Sequence, residues 1–162
     1  MGDMAQDFAN YLNQNLAKLD FDGDLSLEWQ KKTRTFTLEM IFYAANPDSQ
    51  EIVDSDDVLT DADYITFIDE ILFFDEQKPV NFNPEDYLAC LPFAGKRGWT
   101  KQEADGFLAY LQEVLDNGQS DLLDFLNDDT AEEFGLTWDG SRLASLIAQT
   151  AGNKIILPYP KF

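Results

Sequence analysis

The chain has 162 residues, enough for one domain (residues 1–162) with a core of its own, and its 44% hydrophobic content, with 13 Phe, 6 Tyr and 3 Trp, excludes a disordered chain. Thirty-one Asp/Glu against eleven Lys/Arg leave a net charge of −20, which argues against a bare nucleic-acid or anionic-membrane ligand and for basic partners, cations or plain solvation. A single cysteine, Cys90, and the absence of histidine exclude an internal disulfide, a CxxC site, Ser-His-Asp or Cys-His nucleophiles and His-containing metal sites.

Met1-Gly2-Asp3-Met4 lacks the basic segment and apolar run of a secretory signal, and Gln6 stands where a myristoylated chain has Ser or Thr. Apolar runs fall far short of the ~20 residues of a membrane span. The expected location is therefore cytoplasmic. Met4, Phe8, Leu12, Leu16 and Leu19 recur at helical spacing, predicting an amphipathic helix over 4–19 with Asp3 as its cap, followed by a turn at Asp20–Asp24. Leu25, Leu27 and Trp29 alternate with polar residues, as do Phe36, Leu38, Met40 and Phe42, so a hairpin with the loop Lys31-Lys32-Thr33-Arg34 is expected. Residues 46–62 read as a long acidic loop. Tyr64–Phe74 reads as a central strand covered on both faces, with a helix as the competing reading because Asp69-Glu70 interrupts the apolar run. Tyr87–Phe93 reads as a fourth strand.

Thr100-Lys101-Gln102-Glu103 is a capping box, in which hydroxyl and carboxylate each satisfy an unpaired N–H at a helix start. The helix it opens is expected to end at Asn117-Gly118, with a short second helix starting at Ser120. A second box at Thr130–Glu133, a strand over Phe134–Trp138, a last helix over Ser141–Ala151 and a terminal strand over Lys154–Leu157 complete the reading. Clustered strands with flanking helices give an α+β fold: an antiparallel sheet of about four to six strands, with an N-terminal helix and C-terminal helices packed on it.

The acids are segregated. Twelve lie between Arg34 and Lys78 and eleven between Lys101 and Arg142, with no basic residue in either stretch. The densest group, Asp54, Asp56, Asp57, Asp61 and Asp63, is the candidate partner-binding site, to be weighed against a solvated loop and a weak divalent-cation site. Asp20-Phe21-Asp22-Gly23-Asp24-Leu25 matches an EF-hand loop at its first ligands. It fails at position 6, where Leu25 replaces Gly, and at position 12, where Lys31 replaces Glu. The same stretch resembles the D-x-D-G-T-L motif of haloacid dehalogenase-type phosphatases, with Asp20 as nucleophile and Asp22 as acid/base, but Asp24 replaces Thr and a helix precedes it. A turn joining helix to hairpin is the simpler reading. Cys90, inside Leu88-Ala89-Cys90-Leu91, reads as a small buried hydrophobe.

Leu27-Glu28-Trp29, Asp86-Tyr87-Leu88 before Leu91-Pro92-Phe93, Asp121–Leu126, Glu132-Glu133-Phe134 leading to Trp138-Asp139, and Pro158-Tyr159-Pro160 together resemble a family of small acidic cytoplasmic proteins of lactic-acid bacteria and their relatives, classed as a domain of unknown function. The resemblance implies a bacterial single domain and carries over no activity and no functional residue. The expected function is a non-enzymatic interaction module engaging a basic protein partner, with a DNA-mimic inhibitor and a Mg²⁺-dependent small phosphatase as alternatives. No catalytic residue, cofactor or metal ligand is nominated, direct nucleic-acid and membrane binding are not expected, and a homodimer covering an open sheet edge is a further expectation.

Overall fold

The computed structural model of the chain describes residues 7–45, 58–60, 64–78, 81–126, 134–150 and 154–160. Helix α1 spans Phe8–Leu16, capped by the Asp7 carboxylate, which accepts from the Asn10 N–H at 2.7 Å. The predicted cap, Asp3, lies outside the described residues. The helix also stops a turn earlier than its apolar pattern suggests, because Lys18 and Leu19 close 3₁₀-type bonds to Asn15 and Leu16 and turn the chain.

Strands β1 (Asp24–Gln30) and β2 (Thr35–Ala45) form the expected hairpin, with Gln30 opposite Thr35. Strand β3 is Val58–Thr60, within the stretch expected to be loop, and β4 is Tyr64–Asp75, the strand rather than the helix of the two readings. Strand β5, Ala89–Phe93, runs parallel to β4, the departure from an otherwise antiparallel sheet. A parallel neighbour needs a crossover, and the segment from Glu76 to Leu88 supplies it. The order is β1-β2-β4-β3, with β3 and β5 sharing one edge of β4: β3 pairs with residues 65–67 and β5 with 71–75.

Most of the core lies on one face of this sheet, while on the other Leu72 is buried and Phe74 packs on Phe82 at 5.2 Å. Phe36, Leu38, Met40 and Phe42 of β2 and Phe67, Ile71 and Phe73 of β4 are buried against α1 and against α2, which spans Lys101–Leu126. Phe8 sits at the centre, its ring 5.3 Å from Phe36, 5.6 Å from Phe93 and 5.0 Å from Trp99. The capping box forms as read: the Thr100 N–H donates to Glu103 Oε1 at 3.0 Å, and the Glu103 N–H donates to Thr100 Oγ1 at 3.2 Å. Helix α2 does not stop at Asn117-Gly118. It continues to Leu126, absorbing the expected second helix. Gly118 is there for space: a Cβ would lie 2.6 Å from Leu136 and 3.0 Å from the Phe42 ring. The box at Thr130 falls outside the described residues, and residues 134–138 are irregular rather than a strand.

Helix α3, Gly140–Gln149, is capped by Asp139 and lies against α2, with none of its own side chains fully buried. Strands β6 (Trp99–Thr100) and β7 (Ile156–Leu157) pair in a separate two-stranded ladder. Gly98 permits that approach, since it holds φ +59° and any Cβ would meet the Leu157 carbonyl oxygen at 2.1 Å. Beyond β7, Tyr159 lodges among Trp29, Phe36 and Phe93. Its hydroxyl accepts from Trp29 Nε1 at 2.6 Å, and the Arg34 guanidinium lies 4.2 Å from its ring centre.

Candidate functional site

Because the pairing of β3 with β4 reaches Phe67 and that of β5 begins at Ile71, the β4 edge is notched at Ile68–Glu70 among the described residues. The notch has a volume of about 490 Å³. The crossover supplies one wall: Asn83 caps a short 3₁₀ turn over Pro84–Asp86, accepting from the Glu85 N–H at 3.1 Å, so that Glu85 and Asp86 face the cavity. Strand β4 supplies Asp69 and Glu70, whose backbone is fixed locally. The Glu70 N–H donates to Asp69 Oδ1 at 2.8 Å, and the Leu88 N–H donates to the Glu70 carbonyl at 2.7 Å. Phe67, Phe134 and Leu136 form the apolar side, with Phe134 edge-on to Phe67 at 4.6 Å. Among the described residues lining the cavity there are four carboxylates and no Lys or Arg.

The electrostatics follow from that crowding. Burial pushes the Glu70 carboxyl above its ordinary value, and Glu39, directly opposite on β2, and Glu28 on β1 push it further. Burial raises the Tyr87 hydroxyl as well, with Glu70, Asp86 and Cys90 adding to it. The site is a concave, partly apolar, acid-lined cavity whose field favours a cation over an anion. Among the described residues no group of three or more His, Cys, Asp or Glu side chains converges to hold a metal ion.

The acids first singled out, Asp54, Asp56, Asp57, Asp61 and Asp63, lie outside the described residues. Asp20 and Asp22 are exposed in the turn between α1 and β1. The turn is held by Gln112, which accepts from the Asp20 N–H at 2.8 Å and donates to the Asp20 carbonyl at 2.8 Å. A phosphatase nucleophile of the D-x-D type stands at the end of a buried strand, whereas a helix leads into Asp20. Cys90 is half-buried and its thiol is pushed up by burial, the setting of an inert packing residue. Lys31 and Lys32 are exposed at the hairpin tip, with Lys31 Nζ 4.9 Å from the Trp29 ring centre.

The boundary arginine of each acidic stretch folds back into it: Arg34 Nε meets Asp75 at 2.8 Å, and Arg142 meets Glu113 at 2.7 Å. These are the two ion pairs among the described residues. Asp69 and Glu70 were visible in the sequence only as an interruption of an apolar run. That interruption is the signal that marks the notch. Asp86 stood out only within a motif of the family resemblance and Glu85 not at all, since their approach to β4 depends on the parallel crossover.

Among curated proteins, none matches the chain. It is similar to a solved structure described as a conserved protein of unknown function from Enterococcus faecalis, with 36% identity, a TM-score of 0.86 and coverage of 99% of each chain. A family model described as "Protein of unknown function (DUF3013)" matches residues 3–161. With the match running over nearly every residue and the fold shared throughout, the chain belongs to the DUF3013 family.

Proposed function

We propose that the protein is a non-enzymatic interaction module that receives basic side chains of a partner protein at its acidic surfaces. The observation that carries this reading is the β4 notch, where Asp69, Glu70, Glu85 and Asp86 surround an aromatic-walled cavity wide enough for a Lys or Arg side chain. A guanidinium entering it gains charge-assisted hydrogen bonds, stacks on Tyr87 or Phe134, and relieves the repulsion around Glu70. The test is calorimetric titration of the chain with a blocked tri-arginine peptide at low and high salt. Saturable binding weakened by about tenfold in Glu85→Gln/Asp86→Asn supports the reading. Binding indifferent to those substitutions refutes it.

A second reading, DNA mimicry, draws support from α2. This 26-residue helix, about 39 Å long, carries Asp105, Asp116, Asp121 and Asp124 and no Lys or Arg beyond its first residue. On that reading a partner bound through α2 is displaced by duplex DNA, which leaves a notch-bound partner in place.

A further inference from the structure

The other side of the sheet ends in β1, and among the described residues no strand pairs with its outer edge. In an antiparallel ladder alternate residues turn their backbone groups to opposite neighbours. The Leu88 N–H bonds the Glu70 carbonyl, so even-numbered residues of β4 face β5. The unbroken registers β4–β2 and β2–β1 then send Ser26 and Glu28 backbone groups toward β2, and leave the N–H and C=O of Leu25 and Leu27 at the open edge.

Such edges are ordinarily blunted by Pro, by charged side chains (Lys above all), by a bulge or by a covering segment, and the charges on β1 are Asp24 and Glu28. Strand β1, Asp-Leu-Ser-Leu-Glu-Trp-Gln, has no Pro, no Lys and no break in register. Beneath the edge, between β1 and α1, lie two adjoining hollows that share Asn13. One, of about 230 Å³, lies at Leu25, and one, of about 280 Å³, lies at Leu27. Leu25 and Leu27 are only partly buried there. Their spacing is that of alternate residues along a strand, about 7 Å. Above the edge, on the side of β1 turned away from α1, stand the exposed Asp24 and Glu28, with Glu39 one strand behind and Lys31 and Lys32 only at the hairpin tip.

We infer that β1 accepts an extended segment of another protein as an added strand, one whose apolar residues drop into the two hollows while the alternate, outward residues are Lys or Arg. Main-chain bonds to Leu25 and Leu27 supply affinity, the hollows select the apolar positions, and Asp24 and Glu28 select basic ones. The same acids disfavour a second copy of this chain, which would bring its own acidic row to the edge. This surface is separate from the β4 notch and stands whether or not the notch binds anything.

The probe is a blocked hexapeptide alternating Val and Lys, added to the intact ¹⁵N-labelled chain. It is compared with a Val–Glu peptide and with a Val–Lys peptide methylated at every peptide nitrogen. The expected result is saturable shifts at the amides of Leu25 and Leu27 with slowed exchange of both. Affinity should fall about tenfold or more on N-methylation, be lost with Val–Glu, and weaken in Glu28→Lys. Any of four results overturns the inference: equal binding of the N-methylated peptide, which means ionic attachment alone; shifts centred on Tyr87 and Leu88, which place the peptide in the notch; no saturable binding; or protection of Leu25 and Leu27 without peptide in a species of doubled mass, which means a second copy holds the edge.

Discussion

Arg34 is the cation on which the packing of the hairpin most depends. It adopts φ +56°, a left-handed conformation that costs a non-glycine residue about 1–2 kcal/mol, and from there its Nε reaches Asp75 at 2.8 Å while its guanidinium covers the Tyr159 ring. Asp75 is 1% exposed and accepts from Arg34 and, at 2.9 Å, from the Gln77 N–H. Arg34→Ala leaves that carboxylate buried beside a single amide. Removing one member of a buried pair costs about 3–5 kcal/mol, and the partial exposure of Arg34, 18%, places this case near the lower end even after about 0.5–1 kcal/mol for the lost cation–π contact. Arg34→Gly loses the same contacts but relieves the backbone, so it should be about 1 kcal/mol less damaging than Arg34→Ala. Urea unfolding at pH 7, followed by tryptophan fluorescence, should show the Arg34→Ala midpoint lowered by about 1–2 M. In the cycle with Asp75→Ala, the double variant should be more stable than the summed single costs imply, by about 2 kcal/mol. An Arg34→Ala cost under about 1 kcal/mol, or additive costs in the cycle, would refute the reasoning.

Glu70→Gln removes a carboxylate held high by burial and by Glu39 and Glu28. Folding takes up a proton at Glu70 in the pH range between the ordinary carboxylate value and its raised one, so the stability it contributes is present at low pH and lost as pH climbs through that range. The variant should be about 0.2–1 kcal/mol more stable at pH 7 and show a flatter stability profile just above the ordinary carboxylate range, read from thermal melts across pH. Gly118→Ala sets a helix-propensity gain of about 1 kcal/mol against about 1–3 kcal/mol of overpacking on Leu136 and Phe42. Net destabilisation, recovered when Leu136 is also cut to Ala, is the expected calorimetric result. Asp124→Lys places a cation in the last turn of α2, which has none, and should raise stability by about 0.3–1 kcal/mol at low salt, with the gain fading in high salt.

Local chemistry was legible from the residues; spatial neighbours were not. The hairpin, the Thr100 box and the central strand follow from period-2 alternation and from side chains that satisfy backbone groups a few positions away. Gly118 was misread as a stop because a glycine that permits positive φ and a glycine that makes room look alike in sequence, and here the ring of Phe42 decides between them. The parallel placement of β5 could not be read because an apolar run carries no direction. With it went the notch, whose Glu85 and Asp86 reach Glu70 only through that crossover. Residues 134–138 alternate like a strand yet join no ladder among the described residues, and their Phe134 and Leu136 instead pack against the sheet and α2.

The lodging of Tyr159 against Trp29, 130 positions earlier, has a bearing on biosynthesis. While the chain is being translated, the hairpin can zip as soon as it leaves the ribosome. The aromatic wall of Trp29, Phe36 and Phe93 then stays wet until Tyr159 emerges as its plug. Nascent molecules must therefore wait, half-closed and sticky, while the 130 positions between the two rings are read.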